Sequence, residues 1–414
     1  MLPVISILIA IAALFGWLSS RVLKLPTTIG TMLLTVITSI GLVILAPVWP
    51  EPHRLALGII GQIDFERLIL HGMLSLLLFA GAFLLDLRGL RLQKLPIALL
   101  SVVATIFSTL AVGGISYYAI RLFGYHSPLL ECLIFGSLIS PTDPIAVLEM
   151  LRRVNAPKIL EAQLAGESLF NDGIGAVIFI SLLAATRGTM PTPTHIAAHI
   201  LVAAGGGMLL AVVISFPVAW LMRTANSTPI DLLLSLAFAL GGYALAEKLS
   251  VSAPLEAVTA GIALRILIER LPKNAVAHDA LDHFWSSLDE VQNAILFVLL
   301  GCGFLVIVFH RPAVIVGLSE IVIVNLVRIA SVALVLALLR LLRTNCSSSL
   351  AVLSWGGLRG GLPIALALSI PASYGEGWIL TSTYVIVVFS ILVQGSTMDL
   401  FLRRLQRTNR LQLT

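Results

Sequence analysis

The sequence predicts an all-α polytopic membrane protein with about 13 transmembrane helices. Of its 414 residues, 58% are hydrophobic and only 11% are charged, whereas charged residues make up roughly a quarter of an ordinary soluble domain. The apolar residues come in continuous runs of about 20, the length that crosses a bilayer as a helix. A transmembrane β-barrel would instead show short segments of alternating polarity. Basic residues concentrate in alternate connections between the runs, as they do in multi-pass helical proteins.

The predicted spans are separated by short connections that contain prolines or charged residues. The first span lacks a basic flank and a cleavage pattern of small residues, so we interpret it as a retained helix and not as a signal peptide. In chain order the predicted spans cover residues 2–20, 27–47, 68–85, 96–120, 128–150, 162–186, 195–222, 229–247, 253–271, 284–309, 312–339, 347–370 and 377–402.

Charge asymmetry between the connections predicts the topology. Eighteen of the 26 Lys and Arg residues lie in the set of connections that starts after the first span and ends with the C-terminal tail, and six lie in the opposite set. The positive-inside rule places the richer set in the cytoplasm. We therefore expect the N-terminus outside and the C-terminus inside, in a cell (inner or plasma) membrane. The net charge of +5 reflects this topology, so the expected partner is the lipid bilayer and not a nucleic acid.

The sixth span carries two carboxylates in its middle. Residues 166–173 read Gly-Glu-Ser-Leu-Phe-Asn-Asp-Gly, and charged groups inside a bilayer mark functional sites by default. On a helix, Ser168 and Asp172 share one face, and Glu167 and Asn171 share the adjacent one. A capping box at a helix end is the alternative interpretation, but apolar sequence continues on both sides of this cluster.

Spans 5 and 12 are interrupted. Residues 140–144 read Ser-Pro-Thr-Asp-Pro, and two prolines unwind a helix and free carbonyls such as that of Thr142. The Gly-rich residues 355–363 interrupt span 12 in the same way. A pair of broken spans points to inverted repeats with a site at their interface, although each break alone fits a simple kink or packing surface. If the broken helices cross, Asp143 could neutralise positive N-terminal ends and Arg359 negative C-terminal ends.

Arg328, inside the eleventh span, requires a partner because a lone Arg in lipid is unfavourable. We expect Glu167 to be that partner, which leaves Asp172 free for an ion. Together with Asp143 and Arg359, these residues amount to three acids and two bases at mid-membrane depth.

Asp172 is the expected carrier, because one carboxylate that binds either a proton or a small cation is the minimum device for exchanging the two. Hard cations prefer oxygen ligands. The predicted ligands of a monovalent cation are the carboxylates of Asp172 and Asp143, the Ser168 hydroxyl and the Thr142 carbonyl. These motifs contain no Cys or His, which argues against a transition metal.

At these residues the chain resembles the monovalent cation/proton antiporter superfamily, in the NhaP/NHE branch of sodium–proton exchangers. The motifs that carry the resemblance are residues 139–147, 166–173 and 356–360, supported by residues 78–86 and by Phe284–Trp285 ahead of residues 296–299. It extends over nearly the whole chain.

The resemblance implies an NhaA-like inverted-repeat fold of thirteen spans with two crossed discontinuous helices, spans 5 and 12. It implies a homodimer that works by elevator-like alternating access. The chain would form one transporter unit, 1–414. The ion-transporting core would comprise about 68–186 and 284–370, excluding part of 312–339, and the dimerisation scaffold about 1–47, 195–271 and 377–404.

The resemblance also implies roles for individual residues. Asp172 and Asp143 would bind the ion, Ser168 and Thr142 would add ligands, Asn171 would support the site, Glu167 would pair with Arg328, and Arg359 would balance the helix break. Ala80 stands where several prokaryotic relatives have a Glu, which removes a water-mediated ligand. The transported ions would be sodium or lithium against protons, one for one, with no cofactor and no enzymatic step.

Three alternatives remain. A potassium/proton antiporter of the same fold would use the same oxygen ligands. An intramembrane aspartyl protease needs Gly-x-Gly-Asp on one helix and Tyr-Asp on another, whereas residues 171–175 have the reverse order and Asp143 lies between prolines. A passive cation channel would not need Arg328 and Arg359 buried beside the acids.

Overall fold

The computed structural model describes residues 2–23, 27–62, 68, 72–186, 193–225, 227–270, 275–305, 310–343, 349–370 and 377–407. Every regular element in this part of the chain is helical. The α-helices are α1 (Leu2–Leu18), α2 (Thr27–Leu45), α3 (Pro50–Ile60), α4 (Leu74–Phe83), α5 (Leu87–Leu92), α6 (Lys94–Ala98), α7 (Thr105–Ala119), α8 (Leu129–Ile139), α9 (Ile145–Arg153), α10 (Lys158–Ala185), α11 (Pro193–Ala225), α12 (Thr228–Lys248), α13 (Ala253–Ile268), α14 (Ala275–Cys302), α15 (Arg311–Leu341), α16 (Leu350–Trp355), α17 (Leu362–Leu368), α18 (Trp378–Phe389) and α19 (Ser396–Arg407).

Several helices are extended by π-helical or 3-10 turns, and two such turns join consecutive helices: Leu99–Ala104 joins α6 to α7, and Ser390–Gly395 joins α18 to α19. The π-helical turns are Ser19–Leu23, Leu99–Ala104 and Ser390–Gly395, and the 3-10 turns are Ile120–Phe123 and Gly303–Leu305. The edges of four predicted spans, residues 69–71, 271, 306–309 and 347–348, lie outside the described residues, as do the connections at 24–26 and Asn226.

Eight helices in the described part of the chain are long and apolar enough to cross a membrane. A 28-residue helix such as α10 is about 42 Å long, which exceeds a hydrocarbon core of about 30 Å. The eight are Pro3–Leu23, Lys94–Phe123, Lys158–Ala185, Ala197–Ala225, Thr228–Lys248, His278–Leu305, Arg311–Leu341 and Trp378–Leu405; Ile29–Leu45, Leu74–Phe83 and Leu129–Ile139 are shorter apolar helices. The chain is therefore an all-helical, multi-pass membrane protein.

Proline and serine mark the start of several spans. Pro254 occupies the first turn of α13, where a missing backbone N–H costs nothing. Ser252 precedes it, and its Oγ accepts a hydrogen bond from the backbone N–H of Leu255 at 3.2 Å. Ser349 caps α16 in the same way by accepting from Val352. These caps satisfy donors that lipid could not.

Both interruptions predicted from the sequence appear as gaps between helices. The Pro-containing residues 140–144 separate α8 from α9, and the Gly-rich residues 356–361 separate α16 from α17. In each case two short helices stand where one long span would otherwise run.

Close helix contacts hold this region together. A Cβ at Gly136 of α8 would lie 2.3 Å from the Thr109 carbonyl oxygen of α7, so only glycine allows the two backbones to approach this closely. Further from the breaks, aromatic rings pack α4 against α14, and the ring centroids of Phe79 and Trp285 are 4.6 Å apart. Contacts of this kind pack α8 against α7 and α4 against α14.

Candidate functional site

The two helix breaks are in contact. The backbone N–H of Asp143 donates to the Leu358 carbonyl oxygen at 2.7 Å. The buried Arg359 reaches back, and its Nη1 donates to the carbonyl oxygens of Ser140 and of Pro141, the latter at 2.7 Å. These carbonyls lie just beyond the C-terminal end of α8, so the guanidinium opposes the negative end of that helix.

Gly360 makes room for the Asp143 side chain. A Cβ at Gly360 would lie 2.0 Å from Asp143 Oδ2. Gly361, the next residue, is the N-cap of α17. The Asp143 carboxylate therefore lies beside the N-terminal end of the second half-helix, where the helix dipole favours negative charge.

Asn171 of α10 binds the first break directly. Its Nδ2 donates to Thr142 Oγ1 at 2.9 Å, and its Oδ1 accepts from the Thr142 backbone N–H at 3.3 Å. Both residues are buried. One amide thus satisfies a hydroxyl and an unwound backbone group that have no helical partner.

Glu167 and Arg328 form a buried ion pair. Arg328 Nη2 donates to Glu167 Oε2 at 3.0 Å, and Nη1 contacts Oε1. Arg328 Nη2 also donates to the Leu353 carbonyl oxygen at 2.8 Å. A Cβ at Gly357 would lie 2.6 Å from Arg328 Nε, so the second break packs against the guanidinium. The charge of Glu167 is therefore already matched within the protein.

Asp172 and Asp143 are half-buried, whereas Glu167 and Asn171 are buried. Asp172 interacts electrostatically with both Asp143 and Arg359. By helical spacing, Ser168 lies one turn from Asp172 on the same face of α10. The structure thus brings the two acids together beside the unwound Thr142 and leaves both partly accessible. Ala80 is fully buried on α4.

A polar chain behind the second break was not predicted from the sequence. The backbone N–H of Arg359 donates to Ser390 Oγ at 2.8 Å, and Ser390 donates to Gln394 Oε1 at 2.6 Å. Gln394 Nε2 in turn donates to Asn325 Oδ1 at 2.7 Å. The sequence did contain a signal for this chain of hydrogen bonds, because Asn and Gln side chains inside apolar spans rarely lack a buried partner.

Further acids are buried among the described helices, besides the three that the sequence placed at mid-membrane depth. Glu320 and Glu256 are fully buried on α15 and α13, and Ser116 Oγ donates to Glu320 Oε2 at 2.9 Å. Asp289 of α14 is half-buried and interacts electrostatically with Asp143. These acids do not stand out in the sequence because none lies in a broken span or in the motif of span 6.

Two broken helices whose charges meet within a multi-pass bundle are the arrangement of a membrane transporter with a central ion site. The family model described as "Sodium/hydrogen exchanger, transmembrane" matches residues 9–404, and the chain belongs to this family.

Several curated proteins are similar to the chain. It is 36% identical over 411 residues to the Na(+)/H(+) antiporter NhaP of Pseudomonas aeruginosa, covering 98% of this chain and 97% of that protein. It is 28% identical over 400 residues to the Na(+)/H(+) antiporter NhaH of Halobacillus dabanensis, covering 90% and 97%. Among solved structures, the sodium proton antiporter MjNhaP1 of Methanocaldococcus jannaschii at pH 8 superposes with a TM-score of 0.72 at 19% identity. That match covers 95% of this chain and 96% of that one, and it shows a shared fold.

Proposed function

We propose that this chain is a secondary transporter that exchanges sodium, or lithium, for protons across the cell membrane. The observation that carries the proposal is the half-buried Asp172, which lies on the same helix as the charge-matched Glu167 and interacts electrostatically with Asp143 and Arg359. The names of the similar proteins support the same pair of ions.

The substrate cation would bind to oxygen atoms around the first break. Its ligands would be the carboxylates of Asp172 and Asp143, the Ser168 hydroxyl and the Thr142 carbonyl, a set suited to a hard monovalent cation. Asn171 would position Thr142 through its two hydrogen bonds. Arg359 would offset the helix ends that meet at the break.

Transport would follow an elevator-like alternating access mechanism in a homodimer. The core, about 68–186 and 284–370 without part of 312–339, would move against a scaffold formed by about 1–47, 195–271 and 377–404. In this arrangement thirteen spans, with helices crossed at the two breaks, would leave the N-terminus outside and the C-terminus in the cytoplasm. The contact between Asp143 and Leu358 supports the crossing.

We further propose one-for-one, electroneutral exchange. Glu167 is matched by Arg328, and Asp143 lies beside a helix N-terminus, so Asp172 would be the one group that exchanges its proton for a cation in each cycle. Potassium is the alternative cation, because the same oxygen atoms bind it; the similar proteins favour sodium.

The test is transport by the purified protein in proteoliposomes, with a pH-sensitive dye inside. Outward-directed proton gradients should collapse on addition of sodium or lithium, and Asp172→Asn should not respond. A faster response to potassium than to sodium would assign the alternative cation. Cation entry without proton counter-movement would identify a channel and reject the proposal.

A further inference from the structure

Helix α14 carries an acid and two amides on one face, outside the site described above. Asp289 is half-buried, and Gln292 and Asn293 are 7% and 4% exposed. Residues three and four positions apart lie on the same side of a helix. The Asn293 side chain donates a hydrogen bond to the Asp289 carboxylate. The neighbouring Glu290 is exposed and interacts electrostatically with Asp289.

This face of α14 adjoins the ion site. Asp289 interacts electrostatically with Asp143, and Asp143 interacts with Asp172. One turn beyond Asn293, Leu296 packs against the second helix break, since a Cβ at Gly361 would lie 2.5 Å from Leu296 Cδ2. The three carboxylates therefore form a series that leads from α14 to Asp172.

The group lacks a positive partner. Within the described part of the chain, Asp289 forms no ion pair, and Gln292 Oε1 is buried without a hydrogen-bond donor. An unmatched acceptor at this depth is unfavourable unless something donates to it or binds it. A carboxylate and an amide oxygen are both ligands that hard cations accept.

We propose that Asp289 and Gln292, with Asn293 positioning the carboxylate, form an accessory site for a monovalent alkali cation on its way to Asp172. The inference rests on the proposed function. The first residues of α14 follow a connection that the charge asymmetry assigns to the cytoplasm, so the accessory site serves the cytoplasmic side. It raises the local cation concentration at Asp143 and Asp172 and takes no part in proton exchange itself.

The first experiment is steady-state exchange in oriented proteoliposomes, with sodium varied on the cytoplasmic side. Asp289→Asn should raise the apparent KM for sodium about tenfold, the effect of one lost charged contact, and should lower kcat much less. Gln292→Leu should shift KM in the same direction. Glu290→Gln is the matched control, because it removes a neighbouring negative charge from the exposed side of the same helix.

An equal KM shift in Asp289→Asn and Glu290→Gln would mean general attraction by surface charge and would overturn the proposal, as would an unchanged KM in Asp289→Asn. Binding of radioactive sodium to Asp172→Asn tests the accessory site without transport. Saturable binding should persist in Asp172→Asn and disappear in the Asp172→Asn/Asp289→Asn double variant. Equal sodium binding by Asp172→Asn and by the double variant refutes the accessory site, even if the wild type exchanges ions. A wild type that does not exchange ions refutes the proposed function instead.

Discussion

Asp172 differs from the other charged residues of the site in how its charge is matched. Glu167 is paired with Arg328, and Arg359 is engaged by the carbonyls of Ser140 and Pro141. Asp172 is half-buried and faces Asp143, another acid. A carboxylate in such a position binds a proton or a cation more readily than one already held by a guanidinium.

Asp172→Asn should abolish exchange while the protein stays folded. The amide keeps the size of the side chain but can neither release a proton nor carry a full negative charge. Asp399→Asn is the control, because Asp399 forms an exposed pair with Arg403 at 2.9 Å and such pairs contribute little. Cation-dependent proton flux in proteoliposomes is the measurement, with size-exclusion profiles as the test of folding. Substantial flux in Asp172→Asn would rule out Asp172 as the carrier.

Glu167→Gln and Arg328→Gln should each lower the free energy of unfolding by roughly 3–5 kcal/mol, because each leaves a buried charge without its partner. The double variant should recover part of this loss. Chemical denaturation in detergent micelles provides the three values for a double-mutant cycle. If the loss in the double variant equals the sum of the two single losses, the two residues are not energetically coupled.

At the scale of helices, the site depends on how closely the two breaks approach each other. Residues 141–144 and 357–361 lie beyond the last helical hydrogen bonds of α8 and α16, and the backbone N–H of Asp143 and the carbonyls of Ser140 and Pro141 find partners across the contact. Asn171 binds one break, and Ser390 binds the other. Small residues at the contact are required by the short distances.

Gly360→Ala should displace the Asp143 carboxylate and strongly reduce exchange, because the added Cβ would lie 2.0 Å from Oδ2. We expect a loss of about 1–3 kcal/mol in stability from this overpacking. Gly114→Ala on α7 is the control: nothing lies within 4 Å of its added Cβ, so the higher helix propensity of Ala should stabilise the protein by up to about 1 kcal/mol. The measurements are cation-dependent proton flux in proteoliposomes and the free energy of unfolding, for both variants. Normal exchange by Gly360→Ala would show that the two breaks are not in contact in the working protein.

For the whole molecule, the number of groups that change protonation sets the response to membrane potential. If Asp172 alone exchanges one proton for one monovalent cation, the loaded carrier has the same net charge in both directions. The membrane potential, worth about 2.3 kcal/mol per charge per 100 mV, then has no net charge to act on. Exchange would be driven by the two concentration gradients alone.

The potential should therefore leave the reversal point of exchange unchanged. Proteoliposomes clamped with potassium and valinomycin, with sodium as the transported cation, provide the measurement. A sodium gradient at reversal that shifts with the imposed potential would show that a second acid, such as Asp143 or Glu167, also titrates.

The sequence predicted much of the fold, because its signals are local. Continuous apolar runs predicted helices that cross the membrane, and the prolines at 141 and 144 and the glycines at 356–361 predicted where two of them stop. The motif around Asp172 pointed to an ion site because buried acids are unfavourable without a function. Each of these predictions depends only on residues that are close together in the sequence.

What the tertiary structure decided is which distant residues meet. Glu167 and Arg328 are 161 positions apart in the chain, and Arg359 and Ser140 are 219 apart. The sequence indicated that Arg328 needs an acid and favoured Glu167, but the packing of both α10 and α15 against the π-helical turn Leu99–Ala104 determined the distances and the bidentate geometry. It also decided that Ser390 and Gln394 support the second break and that Asp289 lies near Asp143. No local pattern encodes such contacts, because they depend on how complete helices pack within the membrane.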